Sequence, residues 1–157
     1  MPTDLKDCLA ECGLPCALEA MGDRWSFMIL RAAFNGICHF EDFLDALGIA
    51  RNILSNRLSR LVDEEIMQRT VCADDRRKAE YRLTDKGIDL LPALLALRQW
   101  GEKYGLGVPS NPLLADRQDG LPIGPIAIQA HDGRQLTWHD LQWLDRSEIG
   151  APGDCCN

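Results

Sequence analysis

Six polar residues between positions 51 and 60 have the types and the spacing to contact DNA bases. At 3.6 residues per turn they share one side of a predicted helix: Arg51, Asn52, Ser55, Asn56, Ser59 and Arg60. The opposite side carries Leu54, Leu58, Leu61 and Val62. Arginine and asparagine make bidentate contacts to guanine and adenine edges in the major groove. The pattern favours DNA recognition over its alternative, an ordinary solvated helix face.

A shorter helix is predicted immediately before this one. Phe40, Phe43 and Leu47 recur at helical spacing, and Gly48 follows them. Glycine tolerates the left-handed conformation of a C-terminal cap, so we expect the first helix to end there. Two helices joined by a tight turn over residues 40–66 predict a helix-turn-helix motif.

Three basic residues follow at the tip of a predicted β-hairpin. Residues 67–72 and 80–83 have strand character, and the turn between them carries Arg76, Arg77 and Lys78. A basic hairpin directly after a recognition helix is the arrangement of a winged helix. Its tip would contact phosphates or enter the minor groove. The alternative is a solvated turn without a DNA contact.

The charge of the chain is distributed unevenly. The 157 residues carry 17 basic and 24 acidic side chains, a net charge of −7. Residues 51–87 nevertheless have a net charge of +2, because nine basic side chains outnumber seven acidic ones there. Local charge at a contact surface matters more for phosphate binding than the total. The overall acidity therefore does not exclude a nucleic-acid partner.

Residues 88–104 predict a helix that is apolar nearly all round, with Pro92 expected to kink or break it. One small domain cannot cover that much apolar surface, so part of it is expected to meet a second copy of the chain. The residues predicted for this dimer interface are Leu91, Leu94, Leu95 and Trp100. Two recognition helices about 34–36 Å apart would then read a palindromic site.

The predicted fold is mostly α with a β wing. A winged helix-turn-helix domain that binds DNA and dimerises spans residues 1–104, and its core includes a helix over residues 17–34. A C-terminal extension over residues 105–157 is expected to contain a β-hairpin at Asp132-Gly133, a short helix over residues 138–149 and a mobile tail.

Several other functions find no support in the sequence. No catalytic constellation, metal-ligand spacing or phosphate-binding loop is recognisable, so neither an enzyme nor a metal or other cofactor is expected. No apolar run is long enough to cross a membrane and no signal peptide is evident, so the protein is expected to be cytoplasmic. The odd number of cysteines, seven, fits no closed disulfide framework. Each thiol is either a small core residue or a redox sensor.

The chain also resembles a known family at a series of motifs within residues 14–104. The motifs are Cys16-Ala17-Leu18, Met21-Gly22-Asp23-Arg24-Trp25, Phe40-Glu41-Asp42-Phe43, Leu47-Gly48-Ile49, Leu54-Ser55-Asn56-Arg57-Leu58 and Tyr81-Arg82-Leu83-Thr84-Asp85-Lys86-Gly87. Together they resemble the HxlR-type winged-helix regulators, a branch close to the MarR-type regulators.

The resemblance implies a homodimeric bacterial transcription factor that binds a palindromic operator, and we expect the protein to act as a repressor. The family dimerises through its first and last helices. Several members sense electrophiles or oxidants through a cysteine just before the first core helix, and Cys16 occupies that position. A small aromatic or aldehyde ligand is the alternative effector. The alternative function is a winged-helix protein–protein interaction module without DNA binding, which the net negative charge and the absence of a side-chain cap at Ala50 would suit.

Overall fold

The computed structural model describes residues 10–71 and 79–144 as a mostly helical chain with two small antiparallel hairpins. Its first part consists of α1 (Gly13–Met21), α2 (Arg24–Phe34), α3 (Phe40–Leu47), α4 (Arg51–Asp63), β1 (Met67–Val71), β2 (Ala79–Leu83), α5 (Asp85–Ile88) and α6 (Leu91–Gly101). A π-helical turn, Glu102–Leu106, extends α6. The predicted fold class, mostly α with a β wing, is confirmed.

The hydrophobic core lies where α2, α3, α4 and the first hairpin meet. Its fully buried side chains include Ile29 and Leu30 of α2, Phe43 of α3, Leu58 of α4 and Met67 of β1. On α4 the buried residues Leu54, Leu58 and Leu61 recur at helical spacing, so this helix presents one apolar face to the core. Strands β1 and β2 pair from Met67 with Leu83 to Val71 with Ala79, and they form the base of the wing.

The single helix predicted over residues 17–34 is wrong, because the chain breaks at Gly22-Asp23. Gly22 has φ of +77°, and its N–H donates to the carbonyl of Leu18 at 2.9 Å to end α1. Asp23 then starts α2 by accepting from the N–H groups of Trp25 and Ser26 at 3.0 and 3.3 Å. Glycine at a positive φ and aspartate at an N-cap are both strongly favoured, so they override the continuous apolar periodicity.

The predicted break in the helix over residues 88–104 is confirmed. The break separates α5 from α6, and Pro92 lies in the first turn of α6, where its missing N–H costs nothing. Thr84 caps α5 by accepting from the N–H of Gly87 at 3.1 Å, and its hydroxyl donates to the carbonyl of Glu65 at 2.6 Å. These bonds fix α5 against the end of the helix-turn-helix.

The extension folds back on α6. Gln99 of α6 donates to the carbonyl of Gly124 at 3.1 Å and accepts from the N–H of Ile126 at 2.7 Å. The hairpin predicted around Asp132-Gly133 is present as two short strands, β3 (Ile128–Gln129) and β4 (Gln135–Leu136).

The helix predicted over residues 138–149 is wrong within the described part of the chain. A single 3-10 turn, Trp138–Asp140, is followed by extended backbone at Leu141, and residues 145–157 lie outside the described ranges. Thr137 and Asp140 satisfy the turn with a reciprocal cap. Because Trp138 and Trp143 remain exposed, no packed apolar face stabilises a longer helix.

None of the helices within residues 10–71 and 79–144 combines the length with the apolar character that a bilayer-spanning segment needs.

Candidate nucleic-acid interface

The second helix of the helix-turn-helix, α4, presents its polar face to solvent. Gly48 ends α3 in the left-handed conformation, with φ of 58° and ψ of 30°, so the chain turns sharply into α4. Leu54, Leu58 and Leu61 are buried against the core. The opposite face leaves four of the predicted DNA-binding residues exposed: Asn52, Ser55, Asn56 and Ser59. No side chain caps α4, because Ala50 occupies the N-cap position.

Arg51, at the start of α4, is held by a carboxylate of α3. Its two terminal nitrogens donate to the two carboxylate oxygens of Glu41 at 2.8 and 2.9 Å. The guanidinium also lies 5.3 Å from the ring centroid of Phe40. The hydrogen bonds from Arg51 hold the pKa of Glu41 below its ordinary value. Arg51 is therefore exposed but already paired, so a base contact requires it to leave Glu41.

Arg57, which was not predicted from the sequence as a functional residue, links α4 to the start of α2. Its Nε and one terminal nitrogen donate to Oδ2 of Asp23 at 2.8 and 2.5 Å. The other carboxylate oxygen of Asp23 caps α2. Hydrogen bonding to Arg57 is the largest cause that lowers the pKa of Asp23, against the opposing effect of burial. One carboxylate thus joins two helices.

Arg57 also orients Asn56. Its second terminal nitrogen donates to Oδ1 of Asn56 at 3.0 Å. This bond fixes the orientation of the Asn56 amide group. One lone pair of its oxygen and both of its N–H donors remain available for a base. An asparagine needs one acceptor and one donor to pair with adenine, so the orientation leaves that contact open.

Arg60 is turned toward α1. One terminal nitrogen donates to the carbonyl of Glu19 in the last turn of α1, and the guanidinium packs over Gly22. A cation at the C-terminal end of a helix stabilises the carbonyls there. Arg60 therefore links α4 to α1, although its position in the sequence predicted a contact in the DNA groove.

The described part of the wing consists of the base of the hairpin and the segment beside it. Residues 37–39 form a short link into α3, and His39 pairs with Glu80 of β2 as an isolated antiparallel bridge. The three basic residues predicted at the tip, Arg76, Arg77 and Lys78, lie outside the described residues.

The order of these elements is matched by a protein family. The family model described as HxlR-like helix-turn-helix matches residues 20–107, which is more than half of the chain. The chain belongs to the HxlR-like helix-turn-helix family. The expectation drawn from the sequence motifs is thereby confirmed.

Relatives and solved structures agree with the family. An uncharacterized HTH-type transcriptional regulator of Mycobacterium tuberculosis, Rv3095, is 40% identical over 123 residues, which cover 77% of each chain. The crystal structure of PA1607, a candidate transcription factor, is 40% identical with a TM-score of 0.78 and covers 87% of this chain and 96% of its own. The redox regulator HypR in its reduced form is 26% identical with a TM-score of 0.54, over 59% of this chain and 92% of its own. The chain is a transcriptional regulator of the helix-turn-helix type and not an enzyme.

In this HxlR-like chain, the residues predicted for the dimer interface divide into two groups. Leu94 and Leu95 are only 9% and 8% exposed in the single chain, and they pack beside Phe34 of α2. Leu91 is half-buried. Trp100 is 65% exposed, and Leu97, which was not selected from the sequence, is 57% exposed. The free apolar surface of α6 is therefore centred on Leu97 and Trp100.

Cys16 lies on the exposed side of α1, the first helix of the HxlR-like fold. Cys12 precedes it by about one turn and is also exposed. The Cys12 sulfur accepts from the N–H of Leu14 at 3.5 Å as part of the N-cap of α1. Arg60 binds the other end of α1. The helix that carries the predicted sensor thiol is therefore in direct contact with the recognition helix.

Proposed function

We propose that the chain binds double-stranded DNA sequence-specifically as a homodimer and acts as a repressor. The observation that carries the proposal is the exposed face of α4 with Asn52, Ser55, Asn56 and Ser59, which contains no acidic side chain before Asp63. The 13 residues of α4 give a rod roughly 20 Å long, which fits a major groove. In the complex, Arg51 breaks its hydrogen bonds to Glu41 and contacts a guanine beside this face.

The contacts within the chain support the recognition role of α4. Arg57 fastens the helix to α2, and Arg60 fastens it to α1. A recognition element discriminates bases by donors and acceptors at fixed positions, so a rigid helix improves discrimination. Arg60 serves the interface by positioning α4, while Arg76, Arg77 and Lys78 of the wing supply the phosphate contacts.

The dimer in this proposal forms through α1 and α6. Both helices leave large apolar side chains exposed in the single chain: Leu14 and Leu18 on α1, and Leu97 and Trp100 on α6. Apolar surface of this extent on two helices is typical of a protein interface. A second copy of the chain would cover it and set two α4 helices for a palindromic operator.

Thiol chemistry at Cys16 is the regulation that the chain supports best. Cys16 is exposed on α1, and the structural relative HypR is described as a redox regulator in reduced and oxidized forms. A displacement of α1 would disturb the hydrogen bond between Arg60 and Glu19, and through it the position of α4. A small aromatic or aldehyde ligand is the alternative effector.

The alternative, a winged-helix protein–protein module, has one observation in its favour. Arg51 and Arg60 are engaged by Glu41 and by the carbonyl of Glu19, so neither is free for a base in this structure. The exposed asparagines and serines do not share that limitation, and they favour DNA.

Fluorescence anisotropy tests the proposal. Labelled duplex from immediately upstream of the coding region would be compared with a shuffled duplex of equal composition, in a salt series from about 50 to 200 mM. The proposal expects tighter binding to the upstream duplex and a steep loss of affinity with salt, because phosphate contacts release counterions. Equal, weak binding of the reduced protein to both duplexes would favour the protein–protein module.

Regulation through oxidation of Cys16 is tested by measuring operator binding of diamide-treated protein. Wild type should lose operator binding on oxidation, Cys16→Ser should keep it, and Cys12→Ser, an exposed thiol on the same helix, should respond as wild type does. If Cys16→Ser also loses operator binding on oxidation, Cys16 is not the sensor. The proposal that the chain binds DNA would still stand.

A further inference from the structure

Three potential metal ligands converge beside the wing. The backbone of the link before α3 is fastened to β2, because His39 pairs with Glu80 and the N–H of Tyr81 donates to the carbonyl of Cys38 at 2.7 Å. This pairing places Cys38 and His39 next to Glu80, although Glu80 lies far along the sequence. The sequence predicts no metal site because these ligands come from two distant segments.

The side chains of the three residues approach one another closely. The Cys38 sulfur, an imidazole nitrogen of His39 and a carboxylate oxygen of Glu80 all lie within 4.8 Å of one another, and each residue is half-buried. Nε2 of His39 is 3.9 Å from Oε1 of Glu80. The imidazole makes no capping bond to α3, although His39 occupies its N-cap position.

Arg82 orients the Glu80 carboxylate so that one of its oxygens can bind a metal ion. It donates from Nε and from a terminal nitrogen to Oε2 of Glu80, at 2.8 and 2.7 Å. Oε1 of Glu80 is thereby directed toward His39. Ligating carboxylates in metal sites are themselves hydrogen-bonded in this way, which fixes their orientation.

We propose that Cys38, His39 and Glu80 bind one Zn²⁺ ion, with water at the fourth position. Thiolate, imidazole and carboxylate are the ligands of zinc, at about 2.0–2.3 Å in tetrahedral geometry. Ligand atoms in such a site are about 3.3–3.8 Å apart. Modest side-chain rotations close the distances observed here. Binding releases the thiol proton of Cys38 to solvent and takes His39 as the neutral imidazole.

An ion bound at this site would affect the position of the wing. Glu80 is the second residue of β2, two positions after Lys78 in the sequence. An ion held between β2 and the link would fasten the wing to the start of α3. This consequence rests on the proposed DNA-binding function, whereas metal binding itself does not.

Co²⁺ is the probe for the experiment, because a cysteine ligand gives it a thiolate-to-metal charge-transfer band and tetrahedral geometry gives it visible bands. The full chain, reduced, would be titrated with Co²⁺ and then with Zn²⁺ as competitor. We expect one equivalent per chain, displaced by Zn²⁺. Cys38→Ser should lose the thiolate band, and His39→Gln and Glu80→Gln should each weaken binding by at least about tenfold.

Two matched controls separate this site from four of the six other thiols. Cys12→Ser/Cys16→Ser and Cys155→Ser/Cys156→Ser should both bind Co²⁺ as wild type does. A thiolate band that persists in Cys38→Ser, or that disappears in either control, would overturn the proposal. Glu80→Gln, which keeps the thiol and nearly the same shape, decides the matter if Cys38→Ser does not fold.

Operator binding is measured separately, with Zn²⁺ and with a chelator. If the variants lose metal binding but keep normal operator affinity, the ion has a structural role only. Metal binding without any operator affinity would contradict the proposed function and leave the metal site standing.

Discussion

Glu41 and Arg51 form a pair that DNA must break if Arg51 is to contact a base. Both side chains are well exposed, and the pair is bidentate. We predict that Glu41→Gln binds the operator a few fold more tightly, because it weakens the bond to Arg51 and removes a negative charge beside the phosphates. Anisotropy on the operator measures this effect. Weaker or unchanged binding would mean that Arg51 stays on α3 in the complex.

Asp23 makes a contribution to stability that depends on pH. Its pKa is lowered from 3.8 chiefly by the hydrogen bond to Arg57, so the ionised form stabilises the fold at neutral pH. That contribution is complete above 3.8, the ordinary value, and is lost as the pH falls through the lowered pKa. Its size is on the order of 1 kcal/mol, since solvent screens a partly exposed pair.

The comparison with Asp23→Asn tests this linkage. Asparagine still caps α2, but it lacks the charge that pairs with Arg57. Urea unfolding from about pH 7 to about pH 3 should show that wild type is more stable at neutral pH and that the difference shrinks below about pH 4. A difference that stays constant with pH would assign the effect to capping geometry instead.

At the scale of elements, α5 depends on a close approach that only glycine permits. A Cβ on Gly87 would lie 2.2 Å from the carbonyl oxygen of Ile66, which is a backbone atom. We predict that Gly87→Ala destabilises the fold by about 1–3 kcal/mol, because the backbone of α5 must move away from the end of the helix-turn-helix. Equilibrium urea unfolding measures the change.

Gly101→Ala is the matched control for this prediction. Gly101 has helical φ of −63°, and a Cβ at this position would have no heavy atom within 4 Å outside its own helix backbone and chain neighbours. Alanine there should leave the free energy of unfolding unchanged or raise it by up to about 1 kcal/mol. Equal destabilisation by both substitutions would contradict the close-approach argument.

The elements that the sequence predicted correctly have local signals. The α3–turn–α4 unit follows from apolar spacing and from Gly48, and the hairpin follows from strand character on either side of a polar turn. The break at Gly22 was missed because Met21 and Trp25 remain in phase across it. The contact between Arg57 and Asp23 joins residues 34 positions apart, so no local pattern in the sequence could reveal it.

At the scale of the whole molecule, the exposed apolar surface of α6 predicts a dimer. Leu97 and Trp100 are the residues that a partner would bury, whereas Leu94 and Leu95 are already covered within one chain. We predict that Trp100→Asp weakens dimerisation by more than about tenfold, as expected for a buried aromatic anchor that contributes roughly 2 kcal/mol or more. Sedimentation velocity over a concentration series measures this change.

Val71→Asp is the control for the dimer, since Val71 is an exposed apolar residue on the wing. It should sediment as wild type does. If Trp100→Asp also sediments as wild type does, the interface does not include this face of α6.

Sequence-specific DNA binding by α4 is tested by comparing two substitutions in one anisotropy assay, on the operator and on a shuffled duplex. Asn56→Ala should cost about 1–3 kcal/mol on the operator alone and relax discrimination at one base pair, because it removes a base contact. Arg77→Ala should weaken binding to both duplexes and reduce the salt slope by about one, because it removes a phosphate contact. If Asn56→Ala instead binds both duplexes as wild type does, α4 is not the element that reads DNA.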